Sequence, residues 1–154
     1  MTAGFDQTHS TMNNLIRSCR EAHDGFRCAS ETAMDSDLKR LFNIYAHQRT
    51  RFAEELCGYL GEKSSDLSRK SEKILRQFDE ATDDRQLLKN CVETDRRLLE
   101  LYQQAMKTGI STRAQFLLSA QFSLIQRVHE RMNGMLMDAP KIPRMNLSVE
   151  RAVL

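Results

Sequence analysis

Apolar residues recur every three or four positions from Met12 onward. Met12, Leu15, Ile16, Cys19, Ala22, Phe26, Ala29 and Ala33 trace one face of a helix, with Ser10 or Thr11 placed to cap its start. The pair Asp35 and Ser36 breaks this stripe. A second one follows through Leu38, Leu41, Phe42, Tyr45, Phe52, Ala53, Leu56 and Leu60, and ends at Gly61, the residue type that closes helices in the left-handed conformation. A third carries Leu88, Cys91, Leu98, Leu99 and Tyr102 up to Gly109. A fourth opens at Ser111 or Thr112 and carries Leu117, Leu118, Leu124, Ile125, Val128, Met132 and Met135. Helices are therefore expected near 10–35, 37–60, 84–108 and 112–136. Each pair is joined by so short a turn that it must fold back as an antiparallel hairpin.

Between the hairpins lies the polar stretch 61–83, in which Leu67, Ile74, Leu75 and Phe78 are spaced for a short amphipathic helix. The spacing predicts an all-α four-helix bundle, with two hairpins joined by a long crossover. Residues 1–9 are expected to be a disordered lead-in, 10–137 the bundle, and 138–154 a tail. Pro140 and Pro143 keep the last helix from continuing. Met145, Leu147, Val149, Val153 and Leu154 are apolar enough that the tail is expected to pack on the bundle or on a second subunit.

An internal repeat adds a second layer of information. Residues 15–23 read LIRSCREAH and residues 87–95 read LLKNCVETD, matching at Leu15 and Leu87, Cys19 and Cys91, and Glu21 and Glu93. The same offset sets Phe52 against Leu124, Ala53 against Ile125 and Leu56 against Val128, as two hairpins related by a pseudo-twofold axis would. It also pairs His23 with Asp95 and Arg49 with Gln121. All four interrupt the inner stripes where apolar residues are expected, so they are read as one buried polar layer.

Composition narrows the class of function. The 154 residues are 40% hydrophobic and 29% charged, with 6 Gly and 2 Pro, which fits one helical domain with an ordinary core. A net charge of +2 gives no electrostatic case for nucleic acid or an anionic membrane. No run approaches the roughly 20 apolar residues that span a bilayer, and residues 1–10 have neither the basic nor the apolar region of a signal peptide. A cytoplasmic location is the expectation. Cys19, Cys28, Cys57 and Cys91 stand singly, so no zinc ribbon or Cys-x-x-Cys motif is present and reduced thiols are expected. Glu54 with Glu55 and Asp83 with Asp84 read as solvated neighbours without an acid or base role.

The segments NLIRSCREAHDGFR and LFNIYAHQRTRFAEEL, with Cys91, Tyr102, Gln121 and His129, resemble the small ferritin-like bundle proteins of uncharacterised function found in many bacteria. The resemblance covers roughly residues 12–135 and implies a ferritin-like fold. Members of that family usually carry glutamates where this chain has His23 and Asp95, and their crossover is longer. Ferritin-like bundles at large hold two metals with Glu-x-x-His pairs. No Glu-x-x-His occurs here. The closest approach is Gln126-x-x-His129.

Two readings of the polar layer follow. In the first, Arg49, a permanent cation with donors only, pairs with Asp95 while His23 and Gln121 complete the hydrogen bonds. The protein is then a non-catalytic binding or structural module without a cofactor, which acts as a homo-oligomer such as a dimer or with another protein. In the second, His23, Asp95 and His129 bind iron, manganese or zinc in an atypical metal or redox site. Arg49 favours the first, because it repels a dication at the same level.

Overall fold

The computed structural model describes the backbone of residues 2–61, 72–81 and 83–138, and the side chains of residues 8–61, 76–81 and 83–138. The described residues form helices and turns, without strands. The helices are α1 (Thr2–Thr32), α2 (Ser36–Leu60), α3 (Glu72–Asp79), α4 (Asp84–Met106) and α5 (Thr112–Met137). None of them is long and apolar enough to cross a membrane.

Helix α1 starts earlier than its sequence suggests, since residues 2–9 continue the helix where a disordered lead-in was expected. Nothing in that stretch forces a stop. Gly4 costs a helix only about 1 kcal/mol relative to Ala, and Ser10 and Thr11 are tolerated inside a helix as well as at its cap. The other ends follow local chemistry. The Asp35 carboxylate accepts from the Leu38 N–H, Asp83 from Gln86 N–H and Ser111 Oγ from Ala114 N–H, each filling a donor left open at a helix start. Gly61, at φ 72°, ends α2 in the left-handed conformation, and Gly109, at φ 67°, allows the turn before α5.

Helix directions follow from a few contacts. Both Asp84 carboxylate oxygens accept backbone N–H groups of the α1–α2 turn, from Met34 at 2.8 Å and Asp35 at 2.9 Å. The start of α4 therefore lies at that turn. At the other end, Tyr59 near the close of α2 bonds Ser111 before α5 at 2.8 Å. Helix α4 thus runs antiparallel to α1 and parallel to α2, and the chain between 61 and 83 carries it from one end of the bundle to the other. Helix α3 lies in this connection and packs on α1. Phe78 is buried there, and Asn90 of α4 donates to the Gln77 carbonyl at 3.2 Å. Leu67 and the tail 139–154 lie outside the described residues.

Helices α1 and α2 pack together, as do α4 and α5, and α1 also packs along α4. That leaves α2 and α4 on a diagonal. The core is in two parts. One contains Met12 to Ala22, Phe52 to Cys57, Leu98 to Ala105 and Ile110 to Ile125. The other contains Phe26 to Ala46, Phe78, Leu87 to Cys91, Val128 and Met132.

Candidate functional site

Between the two apolar halves, Arg49 reaches from α2 across the bundle diagonal to Asp95 on α4. Both side chains have no solvent exposure. The guanidinium donates from Nε to Oδ1 at 3.3 Å and from Nη2 to Oδ2 at 2.5 Å, the two-pronged geometry that carboxylates accept best. Nη1 donates to Gln48 Oε1. The Phe26 and Phe52 rings wall the cation in, at 5.2 and 5.8 Å from Cζ to the ring centres. A desolvated cation against an aromatic face gains about 2 kcal/mol, which offsets part of the cost of burying it. Burial pushes the Asp95 carboxyl above its usual range, and the charge and hydrogen bonds of Arg49 offset only part of that rise.

Gln121 is buried but belongs to a neighbouring network. Cys19 Sγ and the Tyr102 hydroxyl are 3.2 Å apart, and that hydroxyl donates to Gln121 Oε1 at 2.6 Å. Gln121 Nε2 in turn donates to the Phe52 carbonyl at 3.2 Å and to Glu55 Oε1 at 2.9 Å. The expected match with Arg49 slips because the connection 107–111 is two residues longer than 33–35, so α5 is displaced along the axis relative to α2. The position that divides the core on α5 falls between Ile125 and Val128 instead.

His23 is half-buried and faces α2. Its Nδ1 lies 2.7 Å from Thr50 Oγ1 and 3.0 Å from the Ala46 carbonyl, with no bond to Arg49, Asp95 or Gln121. His129 is half-buried on α5. Its Nε2 lies 3.1 Å from Asn133 Nδ2, while its Nδ1 is buried with no hydrogen-bond partner. Of the four residues read as one layer, the structure joins Arg49 to Asp95 and sets His23 and Gln121 in separate networks.

Several participants gave no advance signal. Tyr102, Phe26 and Phe52 read as ordinary members of apolar stripes, and their second role as hydrogen-bond donor or ring wall needs the neighbouring helix. Glu55 and Asp84 read as solvated, yet each holds another segment. Asp83 was recoverable, being an Asp three residues before the Gln86 N–H it caps.

The thiols are built for burial. Desolvation pushes Cys19 up to about 11 and Cys91 well above the ordinary thiol value, so neither is a ready thiolate. The residues also do not fit a di-iron centre. Among the described residues, no three of His, Cys, Asp and Glu converge as metal ligands. His23 is turned to the α2 backbone, and both Asp95 oxygens are taken by a cation.

What fold and site define is an all-helical bundle closed across its centre by a buried ion pair. The chain belongs to the family described as a domain of unknown function, DUF2383, whose model matches residues 7–108. His23, Arg49 and Asp95 fall inside the match, while Gln121 and His129 lie beyond it. No curated protein and no solved structure matches the chain.

Proposed function

We propose that this is a bacterial, cytoplasmic, ferritin-like bundle acting as a non-catalytic binding or structural module, in which an ion pair stands where relatives of that fold hold metal. The observation that carries the reading is the Arg49–Asp95 pair, fully buried and satisfied by protein groups. A permanent cation bound to both Asp95 carboxylate oxygens occupies that acidic ligand and opposes any dication beside it. The module works as a homodimer or against another protein. Phe116, at 75% exposure on the outer side of α5, is an apolar group available for such a contact.

The orphaned Nδ1 of His129 favours a second reading, an atypical iron, manganese or zinc site using Asp95 and His129. Elemental analysis of protein purified without chelator separates the two. The first reading expects far less than one metal per chain. A stoichiometric metal that His129→Ala or Asp95→Ala removes would overturn it. Sedimentation equilibrium, with and without Phe116→Ser, tests the dimer.

A further inference from the structure

Two of the three large apolar residues exposed on the described surface stand on one helix. Phe116, at 75% exposure, lies near the start of α5, and Met137, at 86%, at its end. They are three repeats of seven residues apart, so they bound one face of the helix, about 32 Å long at the helical rise of about 1.5 Å per residue. From Phe116 to Met137 ten residues are exposed, and only Arg127 and Glu130 among them are charged. On α4, by contrast, five of the seven exposed residues are charged. Ala120, Ser123 and Gly134 keep the middle of the α5 face low, as close helix packing requires. Its two charges also behave differently from others on the surface. Opposite charges at helical spacing elsewhere pair within their own helix, Arg27 with Glu31 on α1 and Arg96 with Glu93 and Glu100 on α4. Arg127 and Glu130, three residues apart, form no ion pair with each other or with any other described residue.

We infer that this face of α5 is where two copies of the chain meet, their α5 helices antiparallel about a two-fold axis. The inference rests on the homodimer reading above and gives it a surface. With the axis level with the midpoint between Phe116 and Met137, the ten exposed positions of one copy fall opposite the same ten of the other, as an isologous contact requires. Phe116 then meets Met137 of the second copy at both ends, an aromatic ring against a thioether. Between them, Ser119 and Ala120 meet Gly134 and Asn133, small against small or polar. Ser123 meets Glu130, and Arg127 stands one turn away on the same side, a distance its long side chain spans. Two symmetric Arg127–Glu130 ion pairs therefore form beside the axis and give the unpaired charges their partners. A parallel pair would instead set Arg127 on Arg127 and Glu130 on Glu130. The face thus complements itself in size and in charge, which favours a second copy over an unrelated protein.

Sedimentation equilibrium of the full-length protein at low salt should show a monomer–dimer equilibrium. Arg127→Glu leaves the face with two acidic residues and Glu130→Arg with two basic ones. Each variant alone should dimerise about tenfold more weakly, since two exposed pairs are lost and two repulsions gained. Mixed in equal amounts the two should form a heterodimer, and both changes in one chain should restore the homodimer. Both positions are exposed, so the melting curves of the variants should match the parent's at concentrations where all are monomers. Met137→Ser should weaken the dimer as Phe116→Ser does. A full-length chain that stays monomeric would overturn the inference and the homodimer reading together. A dimer indifferent to the charge changes, or single variants that do not recover when mixed, would overturn the inference and leave a homodimer through some other face.

Discussion

Replacing Arg49 by Met removes the central cation while keeping a long flexible side chain whose sulfur can still lie against the Phe26 and Phe52 rings. What it leaves behind is the Asp95 carboxylate, fully buried and stripped of both its bonds to Arg49. The cost has a natural ceiling, because the carboxyl can escape by taking a proton. From its ordinary value of 3.8, holding that proton at pH 7 costs about 4 kcal/mol at 1.36 kcal/mol per pH unit. This agrees with the roughly 3–5 kcal/mol seen when one side of a buried pair is removed. Asp95→Leu, which strands the guanidinium, should cost about as much. The double variant buries no charge and should return to within about 1 kcal/mol of the parent. Urea unfolding of all four proteins at pH 7 measures the cycle. The pH dependence supplies a second signature. The folded Arg49→Met protein binds the Asp95 proton more tightly than its unfolded chain, so its stability falls as pH rises above 3.8. Its deficit should therefore shrink as the pH is lowered towards about 4. Additive losses with no recovery in the double variant would refute the claim that the two charges sustain each other.

Two further outcomes follow from other parts of the molecule. Asp84→Ala removes the acceptor for two N–H groups of the α1–α2 turn and should cost about 1–2 kcal/mol, at the lower end for partly exposed bonds to a charged group, with Asp84→Asn intermediate, both read from denaturant melts. Native protein exposed to iodoacetamide at pH 8 should be alkylated at Cys28, while Cys19 and Cys91 react only on unfolding, and early modification of Cys91 in a mass-spectrometric time course would contradict its burial.

The helices were legible because each apolar stripe was long, periodic and ended by Asp, Ser or Gly at the right place. α2, α4 and α5 lie within two residues of the expected spans at each end. Arg49 and Asp95 were also visible, since charges on inner stripes need a partner and each was the other's best candidate. The level of Gln121 was not. A single offset of 72 carried through both hairpins ignores that the second turn, 109–111 in the expected spans, is two residues longer than the first, and two residues displace a helix by about 3 Å. The aim of His23 was hidden for a different reason: a position at a stripe edge does not say whether an imidazole turns inward or along the adjacent backbone. Burial alone could not have revealed the rings around Arg49, which come from two helices.

The split core bears on how the protein opens. Arg49 and Asp95 sit as a seam between two apolar compartments, each drawing side chains from α1, α2, α4 and α5. Transient fraying that starts at either end would reach this seam before the whole chain is lost, and passing it means exposing a satisfied charge pair rather than another apolar layer. The two compartments are therefore expected to open as separate cooperative blocks, which hydrogen exchange should resolve as units with different free energies. A ligand or second chain that grips one end would stabilise the amides of its own block, and those of the far block only through openings that cross the seam.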